Sequence, residues 1–194
     1  MNAITKSRRL KAARAVVAAA AALAAGRFAM GALLGGPDDM GRYDLVPPAA
    51  FQGLTLQDSG PRVDAIRKEQ GEPKPGRKRV VAVYADQAGT AQLVISGTAG
   101  RFNDEDPGAH IAKVLKGMGT TEAEVTAHEA GEPGGGALRC AVLAMAEGPL
   151  PMCIWGDHST TVTVTVPIEN APVTLDSLAE RARELRAVME VRAS

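Results

Sequence analysis

Apolar and polar residues alternate along several short segments of the chain, which is the pattern of half-buried β-strands. The clearest case is residues 161–166, where three valines alternate with three threonines. The same kind of reasoning predicts strands over residues 51–56, 80–85, 91–96, 124–129, 138–146 and 152–157. Turn residues such as Glu147-Gly148-Pro149 separate neighbouring strands, so the pattern favours hairpins.

A helix is predicted to begin after Asp106, because Asp106 suits the N-cap and Pro107 suits the first helical position. Apolar residues then recur with the helical period at 111, 114, 115 and 118, and Gly119 can close the helix. A short helix is also predicted over residues 63–70.

The last element is predicted to be a helix over residues 175–191. Its apolar stripe consists of Leu178, Ala182, Leu185 and Met189. The charged residues, which we assign to the solvent face, are Glu180, Arg181, Arg183, Glu184 and Arg186. Such an amphipathic helix suits docking on a sheet.

From residue 80 onward, the element order is two strands and a helix followed by four strands and a helix, which predicts an α+β fold. We expect a mainly antiparallel sheet with two helices packed on one face, preceded by one N-terminal hydrophobic helix. No G-x-G-x-x-G or P-loop pattern follows a strand, which disfavours a nucleotide-binding fold.

The N-terminus has the pattern of an export signal or a signal anchor, with five basic residues before an apolar run over residues 15–26. We therefore predict a short basic cytoplasmic tail (1–14), a transmembrane anchor or signal segment (15–35), a linker (36–50) and an extracytoplasmic domain (51–194). The chain would be a single-pass protein of the cell membrane with its C-terminal domain outside. The alternative is secretion after signal cleavage.

Charge is unevenly distributed along the chain although the formal net charge is zero. Residues 81–194 carry eight Lys and Arg against fifteen Asp and Glu, a net charge of −7. Because nucleic-acid binding requires a clustered basic face, this acidic segment argues against a nucleic-acid partner.

The two cysteines, Cys140 and Cys153, are predicted to form a disulfide. An even cysteine count in an exported chain favours a bridge, and a hairpin turning near Gly148 would bring the two residues opposite each other. Their spacing is neither C-x-x-C nor a zinc pattern, which disfavours redox catalysis and metal binding.

Asp157, His158 and Ser159 are the residue types of a catalytic triad, but three adjacent residues in a turn point in different directions. We interpret Asp157 and Ser159 as turn-forming residues. Trp155, the only tryptophan, either packs against the disulfide or forms a binding surface with Asp157 and His158. The histidines have no spacing that brings them together, so the sequence predicts no metal and no cofactor.

The segment from Cys153 to Thr160 resembles a C-x-W-x-D-x-x-T segment of uncharacterised membrane-anchored or secreted proteins of Streptomyces-like actinobacteria. In those proteins a Gly-rich loop and a first cysteine precede the segment, as Gly134-Gly135-Gly136 and Cys140 do here. The resemblance covers roughly residues 80–189. It implies an envelope location but no activity.

These observations favour a non-enzymatic, membrane-tethered binding module that has an envelope protein as its partner. It would present a concave or apolar patch on the sheet face opposite the helices. The alternatives are an envelope hydrolase that uses Asp157 and His158, and a regulatory domain that acts through another membrane protein.

Overall fold

The computed structural model describes residues 40–103, 106–170 and 173–194. The predicted tail, N-terminal hydrophobic helix and anchor lie outside these residues. In the described part, no helix is both long enough and apolar enough to cross a bilayer.

The described residues form an α+β domain whose main sheet has eight strands. Its strands are β2 (Ala50–Phe51), β3 (Leu54–Gln57), β4 (Lys78–Ala85), β5 (Ala91–Ala99), β6 (Thr126–His128), β7 (Ala137–Met145), β8 (Gly148–Gly156) and β9 (Thr160–Thr165). All of them are paired antiparallel, in the order β2-β3-β4-β5-β9-β8-β7-β6. The helices are α1 (Pro61–Gln70), α2 (Pro107–Gly117) and α3 (Leu175–Met189). The mainly antiparallel α+β architecture is thus confirmed.

A second, two-stranded sheet pairs β1 (Tyr43–Leu45) with β10 (Glu190–Arg192). Within the predicted linker over residues 36–50, residues 43–45 thus form a strand of the domain. Leu45 is buried in the same core cluster as residues of the main sheet. The structured domain accordingly includes residues before the predicted boundary at 51.

The expectation of two helices on one face was wrong in both number and placement. Three helices pack on the sheet, and the core clusters show which face each one covers. Val63 of α1 packs with Val81 and Val83, and Ile111 and Leu115 of α2 pack with residues such as Ile154.

The larger core cluster lies on the other face of the sheet, where α3 packs. On β8, Trp155 and Cys153 belong to this cluster while Ile154 belongs to the cluster of α2, as alternation along a strand requires. The helices α1 and α2 therefore cover one face and α3 covers the other. Each face of the sheet therefore carries at least one helix, so the described domain has no helix-free face of the kind on which the binding patch was expected.

The local signals at α2 are confirmed. Asp106 caps the helix, since its carboxylate accepts hydrogen bonds from the backbone N–H groups of Gly108 and Ala109 at 2.8 and 3.1 Å. Pro107 occupies the first turn, and Gly119 has a φ of +101°, which glycine adopts without strain.

Candidate functional site

The β7–β8 hairpin carries the disulfide, which is confirmed between Cys140 and Cys153. The two residues are direct cross-strand partners, and both side chains are fully buried in the core under α3. Trp155 follows on the same face of β8 and belongs to the same core cluster. The disulfide and the tryptophan therefore form part of the interior.

A buried polar cluster lies at the end of this hairpin, and we call it the arginine cluster. It consists of Trp155, Asp157, Thr160, Arg186 and Glu190, with Arg186 at its centre. The Arg186 side chain is completely buried. Its Nε donates to Glu190 at 2.9 Å, and its Nη2 donates to Asp157 at 3.2 Å.

The remaining guanidinium donor of the arginine cluster holds a loop. Nη1 of Arg186 donates to the backbone carbonyls of Ala130 and Gly135, at 3.2 and 2.9 Å. Glu190 also accepts hydrogen bonds from Trp155 Nε1, at 2.8 Å, and from the Thr160 hydroxyl. The cluster thus joins the end of α3, the turn after β8 and the loop before β7.

Asp157 organises the turn between β8 and β9. Its Oδ1 accepts hydrogen bonds from the backbone N–H groups of Ser159 and Thr160, at 2.6 and 2.7 Å, and its Oδ2 pairs with Arg186. Because Asp157 is only 4% exposed and both of its oxygens are bonded, its carboxylate has a structural role. The predicted role of Asp157 and Ser159 in forming the turn agrees with this geometry.

The predicted binding surface of Trp155, Asp157 and His158 is not a surface in this structure. Trp155 is fully buried and Asp157 nearly so, while His158 is half-buried. Physically, the Trp155 indole is drawn inward by the apolar core and by the Glu190 carboxylate that accepts its N–H. Only His158 retains partial access to solvent.

Arg186 and Glu190 were missed at the sequence level, and the assignment of Arg186 to the solvent face was wrong. A signal was present, because Arg186 continues the apolar stripe of Leu178 and Ala182 in steps of four residues. Burial raises the pKa of the Glu190 carboxyl, against the opposing effect of the Arg186 charge, and Asp157 raises it further.

The three histidines lie on different elements: His110 on α2, His128 on β6 and His158 in the turn after β8. Within residues 40–103, 106–170 and 173–194, no group of three or more His, Cys, Asp or Glu side chains could hold a metal ion.

An open cleft lies at the edge of the main sheet, and we call it the edge cleft. Its volume is about 830 Å³, within the range of known ligand sites. It is bounded on one side by β6 and β7 and on the other by the first three turns of α3. Its lining residues are Ala127, His128, Glu129, Arg139, Asp176, Ser177, Ala179, Glu180 and Arg183.

The edge cleft is polar and carries charges of both signs. Asp176 and Glu180 are exposed on α3, and Arg183 of the same helix is half-buried. His128 Nδ1 lies 3.9 Å from the Asp176 carboxylate, and its buried Nε2 has no hydrogen-bond partner among the described residues. This arrangement suits a polar ligand that offers both donors and acceptors.

No family model, no curated protein and no solved structure matches this chain.

Proposed function

We propose that this chain is a membrane-tethered, extracytoplasmic interaction module of the cell envelope that binds a protein partner at the edge cleft. The observation that carries the proposal is the cleft itself. The main sheet ends at the short strand β6, and the space beside this edge is walled by a helix and is open to a partner.

The location outside the cytoplasm is supported by two independent features. Basic residues precede an apolar run at the N-terminus, as in a signal anchor. In addition, the disulfide is of a kind that persists in oxidising compartments and is rare in the cytosol. A regulatory role through another membrane protein is one form of this binding function.

The location is tested by introducing one cysteine at the exposed Glu69 and labelling intact cells with a membrane-impermeant thiol reagent. We expect the Glu69→Cys chain to be labelled without lysis, whereas the wild-type chain, whose Cys140 and Cys153 are buried and bonded to each other, stays unlabelled. Labelling of Glu69→Cys that requires lysis would place the domain in the cytoplasm and refute the proposal.

Binding at the edge cleft is tested by placing a photo-crosslinking amino acid at Glu180 in the full chain, in intact cells. The matched control is the same substitution at Glu69, an exposed glutamate on α1. We expect a discrete adduct with one envelope protein from position 180 and none from position 69. Equal adducts from both positions, or none from position 180, would refute the proposal.

A further inference from the structure

Among the described residues, one backbone position of the edge strand β6 has no partner, and the register of the neighbouring strands identifies it. In an antiparallel pair, residues directly opposite each other alternate between hydrogen-bonded pairs, about 5.5 Å apart at Cα, and non-hydrogen-bonded pairs, about 4.5 Å apart. The Cα atoms of Cys140 and Cys153 are 4.1 Å apart, so this is a non-hydrogen-bonded pair.

Because the backbone of Cys140 makes no hydrogen bonds to β8, its N–H and C=O groups point to the other neighbouring strand, β6. The same alternation directs the backbone of Cys153 toward β9, and that of Asp157, four residues on, in the same direction. The Asp157 N–H indeed donates to Thr160 O at 3.0 Å, which confirms the phase independently.

Thr126 and His128 are the β6 partners of Cys140 and Leu138, so their backbone groups bond inward to β7. Ala127, between them, must then direct its N–H and C=O outward, to the free edge. Ala127 is exposed, it lines the edge cleft, and its methyl group leaves the backbone accessible. An outward donor and acceptor on an edge strand are the groups that pair with an added strand.

Arg139 provides a second recognition element next to this edge. It is the cross-strand partner of Ala127, so both side chains lie on the α2 face of the sheet. The guanidinium is half-buried, and its hydrogen bond to a protein group is from Nη1 to the carbonyl of Leu138, at 3.1 Å. Among the described residues, no carboxylate lies within ion-pair distance of Arg139.

We infer that an extended segment of the partner adds to the sheet beside β6, hydrogen-bonded to Ala127, and carries an acidic side chain that pairs with Arg139. This inference rests on the proposed function. The residue opposite Ala127 would project its side chain onto the same face as Arg139. The short Ala127 side chain lets the arginine and a carboxylate meet above it.

A single extended chain fits the edge cleft better than a second copy of the domain does. In a twofold pairing of two β6 strands about His128, each copy would bring its own Asp176 and Glu180 toward the same cleft. These like charges would repel each other in a confined space. A second copy, with its Glu129 as the carboxylate, is therefore an alternative occupant that the test must distinguish.

The test selects linear heptapeptides from a random phage-displayed library on the full chain in mild detergent. We expect enriched peptides to share one acidic position flanked by β-branched residues. The strongest, made as a labelled soluble peptide, should bind at least about tenfold more weakly to Arg139→Gln and to Ala127→Pro, by fluorescence anisotropy. Glu147→Gln, at the exposed β7–β8 turn, is the control and should bind like the wild type.

Ala127→Pro removes only an outward N–H, and proline is tolerated at such positions of edge strands. Its thermal midpoint should therefore stay near that of the wild type, whereas Thr126→Pro, which loses a ladder hydrogen bond, should be clearly destabilised. The reverse order would refute the register. A charge exchange gives a second variant: Arg139→Glu should prefer a peptide with lysine at the acidic position.

Peptide binding that survives Ala127→Pro, or enriched peptides without a fixed acidic position, would overturn strand addition. Concentration-dependent dimers that Glu129→Gln abolishes would also overturn it, in favour of a second copy. The proposed function fails separately, if position 180 gives no adduct in the otherwise wild-type chain. A crosslink from position 180 that persists in the Ala127→Pro variant would overturn strand addition alone, because the cleft would then bind its partner in another way.

Discussion

Replacing Arg186 with methionine tests whether the arginine cluster holds the domain together. The substitution keeps much of the side-chain length but removes the cation that pairs with Asp157 and Glu190. It also removes the donors to the carbonyls of Ala130 and Gly135. Two buried carboxylates would be left without their counter-charge.

Breaking a buried ion pair by removing one partner costs about 3–5 kcal/mol. Domains of this size are stable by about 5–15 kcal/mol in total, so the variant should lose a large part of its stability. At about 2–4 °C per kcal/mol, the thermal midpoint should fall by roughly 6–20 °C. Urea unfolding followed by fluorescence is a direct assay, because Trp155 is the only tryptophan and donates to Glu190.

The control for this experiment is Arg192→Met, an exposed arginine on β10 that should change the unfolding free energy by less than about 0.5 kcal/mol. Adding Glu190→Gln to Arg186→Met removes one of the unpaired carboxylates. The double variant should therefore be more stable than the sum of the single effects predicts, with a coupling of about 0.5–3 kcal/mol. A loss below about 1 kcal/mol for Arg186→Met, or strict additivity, would refute the reasoning.

Three further predictions concern titration and the disulfide. Burial raises the pKa of Tyr84 to about 12, so the folded state favours the neutral phenol. The resulting stability is lost as the pH rises toward that value, and Tyr84→Phe should lack the corresponding ionisation step in an absorbance titration. Burial also raises the pKa of Glu190, so the protonated carboxyl stabilises the domain at low pH and this stabilisation is lost as the pH rises through the raised pKa. The Glu190→Gln substitution should therefore reduce the unfolding free energy less at neutral pH than in mild acid. Reducing the disulfide should lower the unfolding free energy by about 3 kcal/mol, as judged by urea unfolding with and without reductant. The unfolding free energy of the Cys140→Ala, Cys153→Ala variant should not change when reductant is added.

Features encoded locally could be predicted from the sequence. The cap of α2 depends on Asp106 and Pro107, which are adjacent, and the disulfide depends on a hairpin that turns between its two cysteines. In both cases, the interacting residues are close in the chain, so the pattern itself contains the contact.

Features that depend on distant contacts could not be predicted in this way. Alternation along a strand shows that one face is buried, but it does not show which helix covers it, so α2 and α3 were assigned to the same face. Arg186 lies in line with the apolar stripe, but the stripe does not show that the turn at Asp157 and the loop at Gly135 supply the partners of a buried guanidinium. The edge cleft likewise depends on the strand order, which places β6 at the end of the sheet.

The pairing of Tyr43 with Arg192 brings the two ends of the domain side by side. Adjacent termini make a protein suitable for circular permutation, because a short linker can join them without disturbing the core. New ends opened at Gly134, in the exposed loop before β7, would leave every strand intact. A fluorescent protein fused after Ser194 would sit beside the point where the chain enters the domain.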